Sequence, residues 1–159
     1  MWSASTLRSA TSDHEPGSPP SLRIERTFEA PAEAVFDAWT SPEVMRRWFH
    51  CTPGGDTTHA EVDLRIGGRV LVVMRRADGT EVKAHGEFTM IDRPHRLVMD
   101  WTFDDDPSNR QLIELTFAES DGSTTVTLIN SGILGDDRRD GQREGWDWSL
   151  TELERLLAS

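Results

Sequence analysis

The sequence predicts an α+β protein in which a curved antiparallel sheet wraps around one long C-terminal helix, with two short helices after the first strand. Three observations carry this. Between residues 28 and 68 the chain reads as a strand, two Pro-started helices, a further strand and a glycine pair. From residue 60 to 130, runs of alternating polarity are separated by turn residues, as consecutive hairpins require. After residue 145, Trp146, Leu150, Leu153 and Leu157 recur at spacings of four, three and four, which is one face of a helix. Hairpins impose antiparallel pairing, and a single terminal helix has to cover one face of the resulting sheet.

The elements follow in order. Residues 1–20 hold Ser, Thr, Gly and the three prolines Pro16, Pro19 and Pro20, and read as a flexible leader before one domain over 21–159. Residues 21–28 alternate Leu22, Ile24, Arg26 and Phe28 with Arg23, Glu25 and Thr27, a first strand. Pro31 occupies an expected first helical position with Glu33 in the first turn; Ser41, Pro42 and Glu43 repeat the arrangement with a good N-cap. Two helices this short are marginal alone, since isolated helices below about 12 residues are barely stable, so they must lie on the sheet. A strand is expected from Ala60 to Ile66, ahead of Gly67-Gly68. Residues 69–75 and 81–91 flank Ala77-Asp78-Gly79, a hairpin signal. Arg93-Pro94 breaks the return strand, residues 95–103 form the next, and 110–119 pairs with 124–130 around Ser120-Asp121-Gly122-Ser123. The last helix is expected over 145–158. Alternation points Val70, Val72, Met74, Phe88, Leu97, Met99, Trp101, Phe103, Ile113, Leu115, Phe117, Val126 and Leu128 inward.

Composition narrows the function. A formal net charge of −11 repels phosphate backbones, and Arg46-Arg47 and Arg138-Arg139 are isolated basic pairs, so nucleic acid is excluded as a partner. No apolar run reaches the roughly 18 residues a membrane span requires. The single cysteine, Cys51, leaves no internal disulfide and agrees with a reducing cytoplasm.

A set of motifs then resembles a known family. Phe28-Glu29-Ala30-Pro31 is followed by Val35-Phe36-Asp37-Ala38-Trp39, Pro42-Glu43, Arg47-Trp48-Phe49 and Asp63-Leu64-Arg65-Ile66-Gly67-Gly68. Met74, Asp78-Gly79, Gly86, Arg93-Pro94-His95-Arg96-Leu97-Val98, Trp101, Ser131-Gly132 and Gly145-Trp146 continue it over residues 22–157. In order and spacing these resemble the START-like (SRPBCC) superfamily, and within it the bacterial branch named after the activator of heat-shock-protein ATPase. The resemblance implies a helix-grip fold with a cavity that accommodates a ligand. It supplies no catalytic signature, because that branch is functionally mixed; related domains bind lipids or hormones, some are aromatase or cyclase enzymes, and the namesake is a co-chaperone. A homodimer is compatible with a small domain of this branch.

Candidate site residues follow, each weighed against packing. Trp39, Trp48 and Phe49 stand where a cavity mouth is expected, although stapling the short helices to the sheet accounts for them first. Val72, Met74, Phe88, Met99, Trp101 and Trp146 are core first and ligand contacts second. Asn130 follows Val126 and Leu128 inward by parity, and a buried amide needs partners, which makes it the best single polar candidate. His85, beside Gly86, is the weaker one: it points outward unless a bulge turns it in, where it would suit acid–base work. Asp63 and Arg65 are expected on one strand face as a structural charge pair.

His50, Cys51 and His59 match no closed metal site, and Asp104-Asp105-Asp106 reads as an exposed loop. Gly67-Gly68 precedes no helix, so it is no phosphate cradle. Neither metal nor cofactor is expected. The reading is a carrier or sensor of a small hydrophobic molecule held between sheet and helix. The alternatives are a cyclase, dehydratase or isomerase using His85 or Asn130, and a co-chaperone-like interaction module.

Overall fold

The structure is a computed structural model that describes residues 21–50 and 52–158. The leader expected over residues 1–20 and the readings of Cys51 lie outside the described residues. Strand β1 (Ser21–Phe28) is followed by helices α1 (Ala32–Thr40) and α2 (Pro42–Trp48). Six strands come next: β2 (Asp56–Val62), β3 (Arg69–Arg75), β4 (Glu81–Asp92), β5 (Arg96–Phe103), β6 (Gln111–Ser120) and β7 (Ser123–Ser131). Helix α3 (Asp136–Ala158) follows them. The sheet runs β1-β7-β6-β5-β4-β3-β2, antiparallel at every step, and curls around the helices.

The α+β, helix-grip architecture is as the sequence predicts. Ser41 caps α2 by accepting from the Val44 N–H at 3.5 Å, with Pro42 in the first turn behind it. Pro31, by contrast, is the N-cap of α1 and not its first residue. Helix α1 lies on β6 and β7, α2 on β2 and α3, and α3 crosses β1. Between these layers sits one apolar core containing every predicted inward residue except Phe103, which is half-buried. Fully burying side chains such as Phe28, Phe36, Leu97 and Leu115 stabilises the fold by about 1.5–3 kcal/mol each.

Three further expectations are corrected. The strand placed at 60–66 runs from Asp56 to Val62. Its predicted second half is a tight turn in which Arg65 N–H donates to Asp63 O and Gly68 N–H to Arg65 O. Asp63 and Arg65 therefore do not share a strand face, although Arg65 Nε still reaches Asp63 Oδ2 at 2.8 Å on the exposed surface. A Cβ on Gly68 would come within 2.0 Å of the Asp63 carbonyl, so the turn admits only glycine there.

The third correction concerns α3, which begins nine residues before the expected start at 145, at Asp136. Residues 136–144 carry no apolar stripe, so periodicity is silent over them. Local electrostatics hold them helical: Asp136 and Asp137 sit at the positive end of the helix dipole, and Arg139 reaches Asp136 at 3.7 Å. Gly86 marks a close approach of two strands. A Cβ there would lie 1.9 Å from the Asp100 carbonyl, so β4 and β5 approach more closely than any other residue permits.

Candidate functional site

A cleft of about 320 Å³ opens between α3 and the β3–β5 part of the sheet. Its buried wall is mostly apolar: Phe49 after α2, Met74 on β3, Val82 on β4, Trp101 on β5, and Trp146 on α3. The exposed side is charged, with Arg76 from the β3–β4 hairpin and Asp105 after β5, while half-buried Arg138 lies on the first turns of α3. Gly141 and Gly145 stand one turn apart on α3 and both line the cleft. A Cβ on Gly141 would meet nothing within 4 Å. A side chain at Gly141 would therefore enter open space, and both glycines leave bare helix backbone on the cleft lining.

The aromatic residues singled out in the sequence form one connected cluster. Trp39 packs edge-on against Trp48 at 4.7 Å and lies 5.7 Å from Trp146. Phe49 touches Trp146 at 5.4 Å and Trp101 at 5.9 Å. Such pairs are worth about 0.5–1.5 kcal/mol each beyond their area burial. Phe49, Met74, Trp101 and Trp146 reach the cleft; Trp39, Trp48, Val72, Phe88 and Met99 stand behind it in the core. Trp48 is fully committed to packing, its indole N–H donating to the Ala38 carbonyl at 2.9 Å.

Asn130 is completely buried at the centre of an amide network. Its Nδ2 donates to Gln111 Oε1 at 3.0 Å, and its Oδ1 accepts from Gln142 Nε2 at 2.8 Å and from Trp146 Nε1 at 3.1 Å. Gln111 and Gln142 also exchange bonds of 3.0 and 2.9 Å. The network joins β6, β7 and α3 and fixes the indole that forms one cleft wall. Asn130 thus acts by orienting Trp146 and Gln142, and only Gln142 of the three amides lines the cleft. Gln111 and Gln142 escape the sequence reading. Gln111 shares the inward parity of Ile113 and Leu115, and Gln142 lies one turn before Trp146 on the same helix face.

His85 is on the outer face, between buried Ala84 and Gly86, with Nδ1 2.9 Å from Asp104 Oδ1 and a side chain 39% exposed. The structure therefore does not bring His85 and Asn130 to one point. His59 is likewise exposed and engages Glu61 at 2.6 Å. Among the described residues no group of three or more His, Cys, Asp or Glu side chains gathers as a metal site. Asp106 and, more loosely, Asp105 pair with Arg138 at 3.4 and 3.9 Å. Arg138 also lies over the Phe103 ring at 5.6 Å.

Near the buried wall, polar groups lack partners. Among the described residues, the buried Oγ1 of Thr52, a residue of the cleft lining, finds no hydrogen-bond partner, nor do His50 Nε2 and Trp39 Nε1. His50 Nδ1 lies 3.2 Å from the Gly55 carbonyl, and the His50 carbonyl accepts from Ser149 Oγ on α3. Burial holds the His50 imidazole below its usual pKa, against smaller opposing pulls from Glu152 and Asp56.

A curled antiparallel sheet closed on a long helix, with a cleft between them, defines a helix-grip protein. The chain belongs to the family described as activator of Hsp90 ATPase homolog 1-like protein, whose model matches residues 29–158. Its fold is similar to that of protein CV1439 from Chromobacterium violaceum at 23% identity, over 87% of this chain and 98% of that one, with a TM-score of 0.79. The AHSA1 protein from Silicibacter pomeroyi is similar at 25% identity, over 87% and 97%, with a TM-score of 0.76. Protein Ms6760 from Mycobacterium smegmatis is similar at 26%, over 86% and 90%, with a TM-score of 0.74. No curated protein matches the chain significantly. Among the described residues, no helix is long and apolar enough to cross a membrane.

Proposed function

We propose that the protein binds a small, mainly apolar molecule in the cleft between α3 and strands β3–β5, as a carrier or sensor working in the cytoplasm. The observation that carries this reading is the cleft itself. It combines about 320 Å³ of space, a buried wall of aromatic and aliphatic side chains, and a Thr52 hydroxyl without a partner among the described residues. Small-molecule sites have this composition, with apolar walls giving affinity and a few polar groups giving orientation. The family's helix-grip fold, known for ligand cavities, supports the reading, and the single thiol agrees with a reducing compartment. His85 and Asn130 do not converge on the cleft, which favours binding over the carbonyl chemistry those residues would have supported.

The test is a titration of the protein by native mass spectrometry and ligand-observed NMR against a panel of hydrophobic metabolites. A parallel variant, Gly141→Phe, places a ring in the open space that a side chain at this position meets. The expected result is binding of at least one panel class by the parent protein and its loss in Gly141→Phe, with the circular dichroism spectrum unchanged. Absence of binding across the panel, or binding that survives the block, overturns the assignment.

A further inference from the structure

The rim of the cleft carries an asymmetry that the apolar wall does not explain. Two guanidinium groups line it, and they are placed differently. Arg138 is occupied: it faces Asp106 at 3.4 Å and Asp105 at 3.9 Å, and it lies on the Phe103 ring. Arg76 is not. Among the described residues its side chain forms no ion pair, and its one hydrogen bond is a long contact of 3.4 Å from Nη1 to Thr80 Oγ1.

The Arg76 backbone is nevertheless held in place. Its N–H donates to the Thr80 carbonyl at 2.8 Å, closing the hairpin that carries it to the cleft. Asp78 in that hairpin feels the Arg76 charge, but its hydrogen bonds go to Thr80, from whose N–H it accepts at 2.9 Å and from whose hydroxyl at 2.7 Å. A guanidinium has five donors in a planar fork that matches a carboxylate. Arg76 therefore brings unused, directional donors to the edge of an apolar cleft.

Size sets the second constraint. At about 30 Å³ per water-sized atom, 320 Å³ admits on the order of ten non-hydrogen atoms. We propose that the cleft takes a small apolar or aromatic molecule bearing one carboxylate, its body between Trp101 and Trp146 and its carboxylate on Arg76. This rests on the cleft being a ligand site. Asp105, also on the rim, opposes the anion, and Arg138, which pairs with it at 3.9 Å, offsets that charge.

Three probes share a body of suitable size and differ only in the head group: 3-phenylpropionate, 3-phenylpropan-1-ol and 3-phenylpropylamine. Calorimetric titration of the full chain at pH 7.5 is expected to show the acid about tenfold tighter than the alcohol, a step of about 1.4 kcal/mol, with the amine weakest. Arg76→Gln, at an exposed position, is expected to bring the acid within twofold of the alcohol while leaving the alcohol unchanged. Asp105→Asn is expected to tighten the acid alone.

Equal binding of acid and alcohol by the parent protein overturns the anion assignment and leaves the apolar cleft standing. Tightest binding of the amine overturns it in favour of Asp105 as the anchor. Acid preference that persists in Arg76→Gln overturns the role of Arg76. Binding of none of the three overturns the proposal outright, and the metabolite panel then decides whether the cleft reading falls with it.

Discussion

Replacing Asn130 by Ala removes the hub of the amide network. Asn130 is fully buried, and its Oδ1 accepts from Trp146 Nε1 at 3.1 Å and Gln142 Nε2 at 2.8 Å. Both N–H groups lose their acceptor, and an unsatisfied buried polar group costs about 1–3 kcal/mol. Trp146 is buried and takes nearly the full penalty, whereas half-buried Gln142 lines the cleft and can turn to water there. The expected loss is therefore about 3 kcal/mol, well above the typical point substitution. For a chain of this length it lowers the melting temperature by about 6–12 °C.

Urea unfolding followed by circular dichroism measures the loss, and a double-mutant cycle with Trp146→Phe isolates its cause. Phenylalanine has no N–H to orphan, so Asn130→Ala should cost about 1–2 kcal/mol less in that background. A cost below 1 kcal/mol, or the same cost in both backgrounds, would refute the view that this network fixes the cleft wall.

Two further outcomes follow from the fold. Gly86→Ala forces a Cβ to within 1.9 Å of the Asp100 carbonyl, so it should cost more than about 4 kcal/mol and abolish soluble expression; a near-normal melting temperature would disprove the close approach. His50 has a lowered pKa in the folded state, chiefly through burial, so the unfolded chain binds its proton first as pH falls. Its contribution is thus level above the unfolded pKa of about 6.5 and is lost progressively below it, down to the folded pKa. Melting temperatures at pH 7.5 and 5.5 should drop more for the parent protein than for His50→Gln, and equal drops would remove His50 as a cause.

Most of the fold was legible because its signals are local. Ser41-Pro42-Glu43 announces a helix start by capping chemistry, and Asp78-Gly79 and Asp121-Gly122 announce hairpins by backbone preference. The early turns of α3 were not, because a solvated helix with no apolar side chain over 136–144 has no hydrophobic period to detect. That gap also hid the site. Extending the period backwards from Trp146 reaches Gln142 and Arg138, both of which line the cleft. The aromatic wall was visible as Phe49, Trp101 and Trp146, but the space in front of it was not. Patterning reports which side chains are present, and part of this cleft's lining is bare helix backbone at Gly141 and Gly145. Asp63 and Arg65 show the opposite failure: alternation extended a strand into a segment whose backbone turns under the constraint of Gly68.

The order of the strands also sets a timetable. Among the described residues strand β1 pairs only with β7, Ser21 opposite Ser131 and Phe28 opposite Thr124, so the first described strand has to wait for the last one. Until β7 leaves the ribosome, Leu22, Ile24 and Phe28 have no sheet to join, and α1 has no β6–β7 surface on which to lie. Loop closure over most of the chain must precede the contacts that reward it, which places folding among the slow, topology-limited cases. The same β1 segment is an unpaired, aggregation-prone strand for as long as synthesis lasts. Circular permutation that joins the ends and opens the chain in the β3–β4 hairpin would roughly halve the sequence separation of Ser21 and Ser131, and should speed refolding without touching a native contact of the β1–β7 pair.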